Sequence, residues 1–192
     1  PFDLNLNVIL PNIKLFKLFK INSTLKELIQ TQLFFNDNIN VKASIIANSD
    51  STKKIFQKAE INFNIFDGKI NFNKTKLINE KIGSIELKNS NLFSENNQLT
   101  LNTEMIIDID NDEELFSLLQ TNKKFRKPIN NILINLNYDL LTNQFKFNYI
   151  KIDSKEINPQ LFRIIEKLND NSINNLNKSK RILNNFFELY EG

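Results

Sequence analysis

The chain has 192 residues, 41% hydrophobic and 24% charged, with a net charge of +3; it is long enough to bury a core and has the balance of a globular protein. It holds no Cys and no His, which excludes thiolate or imidazole zinc sites and nucleophiles activated by His. Three Gly in all exclude a glycine-rich phosphate loop, and no apolar run is long enough to cross a membrane as a helix.

Taken in chain order, "FDLNLNVIL" (Phe2 to Leu10) alternates apolar and polar residues and predicts a strand, with Pro11 marking its end or an edge. "IKLFKLFKI" (Ile13 to Ile21) reads as a strand, with an amphipathic helix as the alternative, and "STLKELIQTQLFF" fits either state. A strand follows over Asn38 to Ala47, then the polar loop "NSDSTKK". "AEINFNIF" and "KINFNKTKLI" flank Asp67-Gly68, the dipeptide that most strongly signals a tight hairpin. "GSIELKNS" is a short strand and Gln98 to Asp110 a long one.

The period then changes. Helix-capping Asn111, early acids and the stripe Leu115, Leu118, Leu119 predict a short helix over about 111–122. The basic cluster "NKKFRK" (Asn122 to Lys127) is short and does not make a basic stripe with interleaved aromatics on a recognisable fold, so it reads as a solvated loop and no nucleic-acid partner is expected. Asn130 to Asp153 predicts a long hairpin turning at Thr142-Asn143, pairing Leu140 with Phe145, Tyr138 with Phe147 and Leu136 with Tyr149 on one apolar face. Its other face would pair Asp139 with Lys146 and Asn137 with Asn148. Asn158 and Pro159 open a further helix, and a last amphipathic helix runs from about Ser172 to Tyr190.

The expected fold is therefore mainly β: long antiparallel strands in a curved sheet, groove-like or sandwich-like, with one short inserted helix and C-terminal amphipathic helices. Residues 1–155 would form the β domain, and 156–192 a helical segment packing on the sheet or capping it. Asn is abundant, as are the other residues of AT-rich codons, but it alternates with apolar residues as strands do, unlike a low-complexity tract.

Little points to catalysis. Asp108, Asp110, Asp112, Glu113 and Glu114 cluster, but without the glycine and spacing of a calcium loop; they read as a solvated strand end and a helix's first turn. No catalytic residue, metal or cofactor is expected, and the chain is read as a non-enzyme. The apolar strand faces carry more information. Ten residues of strand span about 33 Å, and a continuous apolar face of that length lines either a filled core or a groove.

"FNIFDGKINFNKTKL", "IGSIELKNSNLF", "LTLNTEMIIDI", "LFSLLQTNKKFRKPINNILINLNYDL" and "RILNNFFELYEG" together resemble the C-terminal region of AsmA-family proteins, over roughly Ala59 to Gly192. The resemblance implies a periplasmic β-rich body, anchored to the inner membrane by a helix upstream of Pro1. It also implies a hydrophobic β groove serving phospholipid transport or outer-membrane biogenesis. On that reading Leu99, Leu101, Met105, Ile107, Ile109, Leu136, Tyr138, Phe147 and Tyr149 contact the acyl chains of a phospholipid or other lipid. The competing expectation is a structural or protein-interaction domain with a closed core.

Overall fold

Alternation with period two makes strands wherever one face can be buried, and in the computed structural model it makes ten of them. The structure describes residues 2–13, 31, 33–49, 55–95, 98–142, 144–169 and 176–192. The strands are β1 (Phe2–Ile13), β2 (Ile39–Ser49), β3 (Lys58–Phe66), β4 (Lys69–Asn71), β5 (Lys76–Asn79), β6 (Gly83–Glu95), β7 (Gln98–Ile109), β8 (Asn131–Asp139), β9 (Gln144–Ile152) and β10 (Lys155–Glu156). Three helices follow the turn signals: α1 (Asp112–Leu119), α2 (Pro159–Glu166) and α3 (Leu176–Leu189). The mainly β class with short helices is as the sequence indicates.

All the described strands belong to one sheet, ordered β1-β2-β3-β4-β6-β7-β8-β9-β10, with β5 also between β3 and β6. The described strands thus form a single layer rather than a sandwich. Neighbours are antiparallel except β1 and β2, which run parallel. Of the strand expected at Ile13 to Ile21 only Ile13 is described, as the last residue of β1, and the start of the last helix at Ser172 lies outside the described residues. So does most of "STLKELIQTQLFF", of which Leu33–Phe35 form a 3-10 turn.

Local chemistry accounts for the joints. Asp67 (φ 48) and Gly68 (φ 62) take the left-handed backbone of the expected hairpin turn. Asn111 accepts from the Glu114 N–H and Asn158 from the Leu161 N–H, each opening its helix as a cap. The run "KINFNKTKLI" is not one strand. It breaks at Phe72–Thr75, where Lys74 has φ 66. The hydroxyl of Thr75 then replaces the missing ladder, donating to the Asn62 carbonyl and accepting from its N–H, both at 3.1 Å. Nor does the strand of "GSIELKNS" stop at Ser90: a bulge after Lys88 lets β6 continue to Glu95.

The long hairpin forms, but in a different register. Tyr138 faces Phe145 and Leu136 faces Phe147, while Asn137 faces Lys146 and Asp139 faces Gln144. Asp139 is taken by the turn, accepting from the Leu141 N–H (2.8 Å) and the Thr142 hydroxyl (2.7 Å), so it does not pair with Lys146. A second irregularity between Asn135 and Leu136 brings Tyr149 opposite Asn135. That single extra residue moves Tyr149 to the polar face, and Asn148 bonds to Asn135 instead of Asn137.

Candidate functional site

The registers rule one face of the sheet into apolar rows that run from β1 to β9. One row runs from Leu10 through Ala47, Ala59, Leu77 and Ile85 to Ile107, Ile132 and Ile152. Another runs from Leu4 through Val41, Ile65, Ile70 and Leu92 to Leu101, Tyr138 and Phe145. The face is thus continuous from β1 to β9.

Its two ends are covered differently. At the end holding Ile109, Ile150 and Ile152, the three helices pack down through Phe116, Leu119, Leu161, Ile165, Phe186 and Phe187. The Phe116 and Phe187 rings meet edge to face at 5.2 Å. Thr121 donates to Asn184, whose amide donates to the Leu119 carbonyl, tying α1 to α3. At the opposite end Ile65, Ile70, Leu92, Leu99 and Leu140 form a second cluster, with Phe34, Phe35 and Leu141 packed on it. Between the two lie Ile45, Ile85, Leu87 and Met105, half-buried and part of no buried cluster. Leu87 and Met105 are direct cross-strand partners at the middle of the face.

Of the residues singled out from the sequence, Leu101, Met105, Ile107, Tyr138 and Phe147 lie half-buried on this face. Leu99 (0% exposed), Leu136 (4%) and Ile109 (7%) share the face but are sealed in the core, so a ligand would reach them only by displacing their neighbours. Tyr149 is a correction: it belongs to the other face, where its hydroxyl donates to Glu104 at 2.7 Å. Ile45, Ile85 and Leu87 were missed by the sequence reading. The signal was present in Ile85 and Leu87 alternating with Glu86 and Lys88.

The opposite face is mostly polar, with the cross-strand pairs Ile9–Ile46 and Ile106–Leu133 as apolar exceptions, and asparagine joins its strands. Side-chain amides cross from Asn102 to Asn137 (2.6 Å), from Asn148 to Asn135 (2.6 Å), from Asn131 to Asp108 (2.7 Å) and from Asn40 to Asp3 (2.9 Å). Such cross-strand pairs mark the register from the wet side as the apolar rows do from the dry side. The hydrogen bond from Tyr149 to Glu104, with burial and the carboxylate charge, raises the Tyr149 phenol above its usual range. Tyr138 is raised by burial first and by Asp139 second.

The acids flagged in the sequence have structural work nearby: Asp108 accepts from Asn131, and Glu113 pairs with Arg126 at 2.6 Å. Among the described residues no three acidic side chains are grouped to hold a metal ion, and no helix is long and apolar enough to cross a membrane. No protein-family model matches the chain, and neither a curated protein nor a solved structure matches it.

Proposed function

We propose that this chain is a lipid-binding module that holds acyl chains against the middle of its apolar sheet face, as the AsmA-like resemblance also suggests. The observation that carries the reading is the half-buried strip of Ile45, Ile85, Leu87 and Met105 between two packed ends of a one-layer sheet. A folded chain gains about 25 cal/mol for each Å² of apolar surface withdrawn from water; a strip left half-covered retains that gain for a ligand. Binding of this kind uses no cofactor and no catalytic group. The partner class is phospholipid, and the setting that matches the resemblance is the periplasmic side of an inner membrane, in lipid transport or outer-membrane biogenesis.

Native mass spectrometry of the purified chain, with lipid extraction of the same sample, tests the proposal. The expected result is a phospholipid adduct in stoichiometric amount. Met105→Glu and Leu87→Glu, each at a half-buried position, should abolish the adduct and leave the circular dichroism spectrum unchanged. A bare mass of the wild type, together with no uptake of a fluorescent fatty acid, would assign the face to a closed core and overturn the proposal.

A further inference from the structure

Among the described strands β1 is the outermost on its side of the sheet, and the edge it turns away from β2 can be read residue by residue. Phe2 faces Ile39 and donates its N–H to the Asn38 carbonyl, so Phe2 bonds towards β2. Backbone groups of alternate residues point to opposite sides of a strand. Leu4, Leu6, Val8 and Leu10 therefore also bond inward, and the N–H and C=O groups of Asp3, Asn5, Asn7 and Ile9 point away from the sheet. Pro11 follows at an outward position, where its missing N–H costs no ladder bond.

Sheet edges in soluble proteins are normally guarded by lysine, proline, bulges or brevity. From Phe2 to Leu10 this strand has nine residues in continuous parallel register, no Lys, no Pro, and Asp3 as its one charge. The proline and the irregularity come only after Leu10. Four of the six apolar side chains along the edge are exposed, Phe2 58%, Leu4 42%, Leu6 44%, and Ile9 on the other face 71%, while Val8 and Leu10 are half-buried.

The sequence of this edge is self-complementary. We propose that β1 pairs antiparallel with β1 of a second copy of this chain about a two-fold axis at Leu6. In that register the outward-bonding residues meet one another, Asp3 against Ile9 and Asn5 against Asn7, giving about eight backbone hydrogen bonds. On the apolar face Phe2 meets Leu10, Leu4 meets Val8, and Leu6 meets its own copy, so every contact there is apolar. The two Asp3 carboxylates lie at opposite ends of the paired strands and do not repel. The interface is isologous, which closes at two copies instead of growing into a filament, and it joins the two apolar faces into one surface.

The chain has no Cys, so a single introduced thiol reports the register. Leu6 on the axis would be a non-hydrogen-bonded pair, with Cα atoms about 4.5 Å apart, inside the span of a disulfide. Under mild oxidation Leu6→Cys should form a covalent dimer of the chain. Phe2→Cys should not link to itself, but should link to Leu10→Cys when the two variants are mixed. Lipid-free wild type should sediment at twice 22.5 kDa at high concentration and dissociate on dilution. Asn7→Pro, which removes an N–H that β2 does not use, should sediment as a folded monomer. A wild type that stays monomeric at every concentration would overturn the proposal. So would a Phe2→Cys self-link without a Leu6→Cys link, which would mean that another register or another partner strand takes this edge. Neither result bears on acyl-chain binding, which the lipid extraction reads separately.

Discussion

At the residue scale, Tyr149 and Glu104 show how one inserted position changes a side chain's role. The phenol would have joined the apolar face had the hairpin kept one register from end to end; the irregularity beside Asn135 turns it to the wet face and onto a carboxylate. Its folded pKa lies above the ordinary value, so the bond contributes fully below the unfolded pKa of about 10 and is lost as pH rises through the folded value. Tyr149→Phe should therefore cost about 0.5–1 kcal/mol at neutral pH, low because the site is partly open to solvent. The gap between wild type and variant should close in strongly alkaline solution, as urea unfolding at the two pH values would show. The helix caps Asn111 and Asn158 and the Asp67-Gly68 turn were legible in the sequence because each acts within four residues. The register was not, since the side chain of Asp139 could serve either the turn or Lys146, and both options look alike in one dimension.

Elements were legible where periodicity is long and uninterrupted. β7 and β8 follow from alternation alone, and α2 from its cap and Pro159. What interrupts a strand without ending it was hidden: the bulge at Asn89 and Ser90 makes the 13-residue β6 look as if it ended at Ser90, and the kink at Phe72–Thr75 makes two strands of one run. The parallel pairing of β1 with β2 was equally hidden, because both directions present the same alternating pattern. The helices are where packing decides stability. Phe187 is 3% exposed and touches both Phe116 and Phe186. Phe187→Ala should destabilise by about 3–5 kcal/mol, whereas Asn158→Ala, removing only a cap, should cost about 1 kcal/mol. Chemical denaturation would separate the two, with an unchanged slope and a shifted midpoint for the cap variant.

On the scale of the molecule, a one-sided sheet was foreshadowed by the apolar and asparagine alternation that runs through nearly every strand. The helices that close one end were foreshadowed by their stripes, but which rows they close was not, because that depends on where the chain returns. The interruptions of β4–β5, β6 and β9 also share a location. The Phe72–Thr75 break, the Asn89–Ser90 bulge and the irregularity beside Leu136 fall on neighbouring positions of one transverse line, with Thr103 between them. Thr75, Ser90 and Thr103, each at most 5% exposed, are buried polar residues on that line. Thr103 donates to Lys88, the last residue before the β6 bulge. Each irregularity bends its own strand, so their bends add along a single crease running across the strands. From β4–β5 to β9 the crease crosses five strand positions, which at roughly 4.8 Å apart make it about 19 Å long. One acyl chain is half the thickness of a bilayer's hydrocarbon core, about 15 Å. If the chain binds lipid as proposed, the crease has room for one acyl chain laid across the strands rather than along them, and the second tail of a two-tailed lipid would lie outside it.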